Sequence, residues 1–379
     1  MASEFDVPAV LAGYDVDALT LCSIGSHSAL EVAAGARLAG LRNLIVTEYG
    51  RERTYSEYYA RRGNPARGCV DATLPLASFS DILDPAVQAE LVRQNVIFVA
   101  NRSFEVYLRQ RYTYAEIERA MRVPFFGSRT LLRAEERDEA ENQYALLERA
   151  GVRYPRQFAR ASDIDRLVIV KAPHAKVSFE RAFFLARSSA DYEDQCAHLL
   201  AAGMVDENGL RGAVIEEFAL GPSINLNFFY SPVLRELELM GTDTRRQTNL
   251  EGFKNLPFAQ AQALADEPVR LEEAGHIAAT LTESMLEKAF AMGERFVRAT
   301  QADGQRGIIG PFALQCIIVA GPPKDFIVYD VSLRIPGSPG TRFTPYASYR
   351  WGRDVSVGER IAMEVVWARD AQRLVEVLT

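Results

Sequence analysis

Short apolar runs alternate with stretches of helical spacing along the first third of the chain, and this most narrows what it can fold into. Ala18 to Ile24 is apolar, and Ala29 to Leu38 places Leu30, Ala33, Ala34 and Leu38 on one helical face. Asn43 to Thr47 then reads as a second strand and Val96 to Ala100 as a third. Strands joined through helices cannot pair as hairpins, so the expected product is a parallel sheet with helices packed on it. Pro124 and Gly127 punctuate the end of this α/β unit, which we place at residues 1–128.

A different pattern follows. The spacing predicts a charged helix over Ala134 to Ala150, stopped by Gly151. Leu167 to Val170 reads as a strand that ends at Lys171, with Phe183 to Ala186 as its hairpin partner and a helix over Tyr192 to Ala202. These form a second unit, 129–212. The third unit, 213–379, has strands at Ala213 to Phe218, Asn225 to Tyr230 and Leu237 to Met240, a long helix at Leu281 to Thr300, and strands at Phe312 to Val319 and Phe326 to Ser332. Such a run of strands is mixed rather than doubly wound.

Composition removes several functions. The net charge of -7 repels duplex nucleic acid. The densest basic stretch, Arg51 to Arg67, is interrupted by Glu52 and Glu57, and reads either as a solvated face or as a phosphate-contacting segment. Cys22, Cys69, Cys196 and Cys316 form no CxxC pair and no zinc spacing. Met1 to Val10 lacks the basic start of a secretory signal. No apolar run reaches the roughly 18 residues of a membrane span. The expectation is a cytoplasmic protein without nucleic-acid or membrane partners, acting on small molecules; a homo-oligomer is compatible with this.

Four constellations carry chemistry. Gly25-Ser26-His27-Ser28 lies between the first strand and the first helix, where free N–H groups and the helix dipole favour an anion. It is either a capped turn or a ligand site, and His27 favours the second. Lys171 closes an apolar strand; there it either snorkels to solvent or reaches a nucleotide phosphate. Glu216 and Glu217 sit at a strand end, able to bind an adenine amine or ribose hydroxyls. Gln315 and Asp330 lie on neighbouring predicted strands and offer hard oxygen ligands for magnesium, with Arg334 four residues further on to neutralise a transferring phosphoryl group.

In this order the segments resemble the archaeal formate-dependent FAICAR synthetases over nearly the whole chain. The matching stretches are Ile24 to Ser28, Gly50-Arg51, Val123-Pro124 with Phe126-Gly127, Val168 to Lys171, Phe229 to Pro232, Gly310 to Phe312 with Leu314-Gln315, and Ser332 with Arg334. The resemblance implies an ATP-grasp fold preceded by a parallel-sheet α/β domain. It implies a reaction in which ATP and magnesium activate formate as formyl phosphate for attack by the 5-amine of a purine-precursor ribotide. By this resemblance Lys171, Glu216 and Glu217 bind the nucleotide, and Gln315 and Asp330 the metal. Gly25, Ser26, His27, Ser28, Ser103 and Asn227 meet the ribotide. Arg334, Lys176 and Arg181 supply positive charge for the chemistry.

The chain departs from the family pattern in four places. The glycine-rich loop after the strand lysine is replaced by Ala172 to Arg181, which has no glycine. Asp330 stands for a glutamate and Asn227 for a histidine, and Pro336 to Gly340 replaces an acidic, asparagine-containing turn. At this point a ligase using another small carboxylate or a nucleoside-like amine, and a non-catalytic ligand-binding relative, stay open.

Overall fold

The computed structural model describes residues 5–137, 139–171, 183–248, 256–257, 260, 273–302 and 306–379. Its strands form three sheets. The first contains β1 (Thr20–Ile24), β2 (Arg42–Glu48), β3 (Ala72–Leu76), β4 (Val96–Val99) and β5 (Phe125–Phe126), in the order β3-β2-β1-β4-β5. Every pairing is parallel, as the alternating pattern requires. All five β1 residues are buried, because both faces of such a sheet are covered. Helix α1 (Ala29–Leu38) follows β1, and α2 (Pro85–Arg93) leads into β4. Helix α3 (Arg102–Leu108) leaves β4 with Asn101 as its cap, the Asn101 side chain accepting from Phe104 N at 3.2 Å.

The predicted helix over 134–150 is in fact a 3-10 turn at Leu132–Glu135 and a separate helix α4 (Gln143–Arg149). Asn142 makes the break: its side-chain oxygen accepts from Tyr144 N at 3.0 Å and Ala145 N at 3.2 Å, opening a new helix where a continuous one would pass through. The second sheet is β6 (Gln157–Phe158), β7 (Val168–Lys171), β8 (Phe183–Ala186) and β9 (Val214–Glu217), ordered β6-β9-β7-β8, with α5 (Ser189–Ala201) beside it. The strand expected to open the third unit, Val214–Glu217, is instead hydrogen bonded to β6 and β7.

The third sheet is antiparallel: β10 (Ser223–Ser231), β11 (Glu236–Gln247), β12 (Glu273–Ala278), β13 (Gly310–Val319) and β14 (Asp325–Ser332), ordered β12-β11-β10-β13-β14. One face is apolar. Leu226, Phe228, Phe312 and Leu314 pack there against α6 (Leu286–Thr300), with Phe312 stacked between Phe228 and Phe296 at centroid distances of 5.3 and 5.7 Å. The other face carries Asn225, Asn227, Asp243, Arg245, Gln315 and Asp330, as a strand period of two dictates once Leu226 and Leu314 face the core.

Helix α7 (Val357–Asp370) returns to the first sheet and lies on α1. The contact is so close that a Cβ on Gly35 would stand 2.2 Å from the Gly358 carbonyl carbon, so both positions need glycine. Beneath α7, the Arg360 guanidinium is fully buried among the rings of Phe229, Trp351 and Trp367 and is paired with Glu238 and Glu364. Among the described residues no helix is long and apolar enough to cross a membrane.

Candidate active site

The second and third sheets meet at Lys171. Its ammonium pairs with Glu216 of β9 and lies 3.4 Å from the Tyr329 carbonyl oxygen in β14. An ammonium has three donors, so among the described residues one is left without a partner. Glu216 also accepts from the Tyr144 hydroxyl at 2.8 Å; Arg137 donates to that hydroxyl at 3.1 Å and to Asp330 Oδ1 at 3.1 Å. A continuous charged network thus runs from the small sheet to the end of β14. Burial pushes the Lys171 ammonium below its ordinary pKa, with Glu216 opposing. Burial raises the Asp330 carboxyl, yet Arg137, Lys171 and Arg245 together hold it below the usual carboxylate value. Glu216 and Glu217, adjacent in sequence, face opposite ways: Glu216 is buried on Lys171, while Glu217 is half-buried at the strand end.

Gln315 and Asp330 are direct cross-strand partners, with Gln315 Nε2 3.3 Å from Asp330 Oδ2 and 3.4 Å from Ser332 Oγ. Among the described residues no three His, Cys, Asp or Glu side chains gather as a metal site. The donors present are the Asp330 carboxylate, whose Oδ1 accepts from Arg137, and the Gln315 amide oxygen, which accepts from Arg245 Nη2 at 3.3 Å, so a metal would have to share both with a guanidinium or displace it. Hard oxygens of this kind could hold magnesium, which takes few protein oxygens and fills its octahedron with waters and nucleotide phosphates.

A narrow cleft opens beside this pair, lined by His27, Arg102, Asn227, Arg245, His276 and Arg334 among others. Its floor is the polar face of the third sheet, and its far wall is the carboxyl end of β1 and β4. Strand order reverses between those two strands, which is where open parallel sheets bind ligands. The Asn101 side chain ties the two strand ends together by donating to the Ile24 carbonyl at 2.8 Å. In the loop after β1, Gly25 is buried so tightly that a Cβ would stand 2.8 Å from Tyr55 Cε2 and 3.0 Å from Val46 O. Ser26 is half-buried, and Ser28 sits in the left-handed region at φ 63° with its hydroxyl on the Pro336 carbonyl at 2.6 Å. His27 projects between them, 3.9 Å from Glu273. Burial lowers its pKa; Glu273 opposes, while Arg102, Arg334 and His276 add to the lowering, so the ring is neutral near pH 7.

On the floor, Asp243 is fully buried and accepts from Asn225 at 2.8 Å and Asn227 at 2.7 Å, and also meets His276. His276 bridges to Glu273 at 3.0 Å, and Arg245 reaches Glu273 at 3.4 Å. Burial alone would lower the His276 pKa, but the two carboxylates raise it to about 9. Glu273 is likewise raised by burial and then pulled down to about 2 by His276 and Arg245. At the back, Arg334 is buried with Glu135 at 2.8 Å and Glu105 at 3.4 Å. Burial drives both carboxyls upward, Glu105 well above the usual range.

The structure therefore brings His27, Asn227, Gln315 and Arg334 to one cleft, with Asp330 and Lys171 adjoining. Ser103 is buried in α3; its neighbour Arg102 is the residue that lines the cleft. Lys176 and Arg181 lie outside the described residues. Sequence reasoning missed Arg102, Arg137, Tyr144, Asp243, Arg245, Glu273 and His276. The signal available was polar residues at alternate positions inside strands, Asn225 with Asn227 and Asp243 with Arg245, which marks a sheet face that covers a ligand rather than a core.

A parallel α/β sheet followed by a small and a large antiparallel sheet that meet at a buried lysine defines an ATP-grasp protein. The fold is shared with an ADP complex of N5-carboxyaminoimidazole synthetase from Staphylococcus aureus, 10% identical, with a TM-score of 0.55 and coverage of 91% of this chain and 76% of that one. It is shared more closely with an IMP biosynthesis protein, PurP, from Thermococcus kodakaraensis: 26% identical, TM-score 0.68, covering 95% and 100%. Family models described as a protein of unknown function (DUF1246) and a domain of unknown function (DUF1297) match residues 21–158 and 191–379. The 5-formaminoimidazole-4-carboxamide-1-(beta)-D-ribofuranosyl 5'-monophosphate synthetase of Methanopyrus kandleri is 35% identical over 100% of both chains. The chain belongs to this synthetase family.

Proposed function

We infer that the chain is an ATP-dependent carbon–nitrogen ligase that joins formate to the 5-amine of aminoimidazole carboxamide ribotide, a step of purine biosynthesis. The observation that carries this is the match to the Methanopyrus kandleri synthetase from end to end of both chains. The cleft supports it, since the loop after β1 and the Lys171–Asp330 end open on the same space.

Formate is a poor acyl donor because oxide is its leaving group; phosphorylation replaces this with phosphate. Lys171 uses its remaining donor on the nucleotide phosphates, and Glu217 sits at the strand end suited to the nucleoside. Gln315 and Asp330 would hold magnesium, which supplies charge neutralisation on the transferring phosphoryl group. Arg334 adds fixed positive charge from the back of the cleft, oriented by Glu105 and Glu135. Gly25, Ser26 and Ser28 shape the loop that receives the ribotide. His27, neutral near pH 7, accepts at its ring nitrogen the proton that the amine loses on attacking the formyl carbon. Asn227 is held by Asp243 so that its Oδ1, which has no partner among the described residues, faces ligand N–H groups.

The test is to incubate the protein with ATP, magnesium, formate and the ribotide. ADP release matched by a mass gain of one formyl group is expected. ADP release without formyl transfer, or formyl transfer only with a different acid or amine, would overturn the assignment of substrates.

A further inference from the structure

We infer that Arg102 holds the carboxylate of the small acid substrate and thereby decides which acids the cleft accepts; this rests on the ligase reading above. The other cations around the cleft are paired. Arg334 is paired with Glu135 and Glu105, Arg245 with Glu273, and His276 with Asp243 and Glu273. Behind them Lys171 is paired with Glu216 and Arg137 with Asp330. Arg102 is half-buried, lines the same cleft, and makes no hydrogen bond or ion pair among the described residues. A guanidinium kept in a polar cleft without a carboxylate partner is ready for one supplied by a ligand, and its planar fork matches a carboxylate in two parallel hydrogen bonds.

Its place in the fold fits the acid rather than the other substrates. Arg102 leaves the end of β4, across the strand-order reversal from the loop that carries His27. Its charge is felt at His27, on the ribotide side, at Asp330, on the nucleotide side, and at Glu135, which is itself paired with Arg334. The acid has to lie between the first two. One carboxylate oxygen forms a bond to the terminal phosphorus of ATP as the bond to the ADP oxygen breaks. The amine nitrogen then bonds to the acyl carbon, inorganic phosphate leaves, and one amine proton passes to a base. Among the described residues, three buried polar atoms of the cleft make no hydrogen bond: Arg245 Nε, which still lies 3.4 Å from Glu273, Asn227 Oδ1 and Ser338 Oγ. The Asn227 amide cannot be turned around, because its Nδ2 already donates to Asp243 and to the Gly241 carbonyl, so the free atom is an acceptor for the ribotide. The Ser338 hydroxyl can donate to the acid's second oxygen.

The experiment compares the full-length native chain with Arg102→Ala and Arg102→Lys. Because Arg102 has no partner among the described residues to strand, both variants should melt as the native chain does. Three quantities are measured: the KM for formate at saturating ATP and ribotide, magnesium-dependent ADP affinity by calorimetry, and ribotide affinity by calorimetry. Loss of a charge-assisted pair predicts a rise of about 10- to 100-fold in the KM for formate for Arg102→Ala, with both calorimetric affinities unchanged. Arg102→Lys should recover part of the loss, and added guanidinium ion should rescue the alanine variant. An unchanged KM for formate overturns the inference. So does a fall in ribotide affinity matching the rise in KM, which would assign Arg102 to the ribotide phosphate. If the native chain transfers no formyl group, the ligase reading fails. The Arg102 inference is then read from the line width of carbon-13 formate, expected to broaden with the native chain and not with Arg102→Ala; no broadening with either overturns it.

Discussion

Replacing Lys171 by methionine tests whether the buried ion pair at the sheet junction has separate structural and ligand-binding parts. The Lys171 and Glu216 side chains are only 6% and 1% exposed. Removing one partner leaves the other charge buried, which typically costs about 3–5 kcal/mol. The structure points to the lower part of that range, because Glu216 keeps the Tyr144 hydroxyl at 2.8 Å and feels the nearby Arg137. We therefore expect Lys171→Met to lose about 3 kcal/mol. Combining it with Glu216→Gln removes both charges while the amide oxygen still accepts from Tyr144, so most of the loss should return, leaving about 1 kcal/mol. Urea unfolding without nucleotide measures the two values through the shift in midpoint. Calorimetry with ADP and magnesium then separates the roles: the double variant should be nearly as stable as the native chain yet bind nucleotide poorly. A single variant that costs less than about 1 kcal/mol, or a double variant no more stable than the single, would refute the reasoning about burial. Native-like ADP binding by the double variant would refute the phosphate contact.

Three further outcomes are expected. Arg360→Met should destabilise by about 3–5 kcal/mol in urea unfolding, since Glu238 and Glu364 stay buried without their cation; Arg360→Lys should restore little, because a lysine cannot stack among three rings. The stability difference between the native chain and His276→Gln should depend on pH: the His276 pKa rises from 6.5 to about 9 on folding, so its contribution is full below 6.5 and disappears as pH climbs through 9. Thermal melts of both proteins across that window check this, and a constant gap would count against the Asp243–His276–Glu273 chain. Gly25→Ala should distort the loop after β1 through the Cβ contact at 2.8 Å with Tyr55, lowering ribotide affinity in calorimetry while leaving ADP affinity intact; equal loss of both would mean that this loop does not serve the ribotide alone.

The sequence by itself determined the elements whose signals are local. Helix Ala29–Leu38 has the limits its apolar spacing predicts, and Lys171 ends its strand as read. Gln315 and Asp330 lie opposite each other because two neighbouring antiparallel strands leave few other registers. Where one side chain could redirect the backbone, local pattern failed: Asn142 divides a stretch whose spacing reads as a single helix. The structure alone decided the grouping of Val214–Glu217 with the small sheet. It also decided the return of the Val357–Asp370 helix onto the first sheet, and the pairing of Glu273–Ala278 with β11. It likewise decided which charges around the cleft pair with each other, and that Arg102 makes no ion pair among the described residues. A charge's partner depends on which chain segments are neighbours in space, and Arg334 meets Glu105 across 229 residues of sequence. Periodicity reports which face of an element is buried; it carries no record of what that face is buried against.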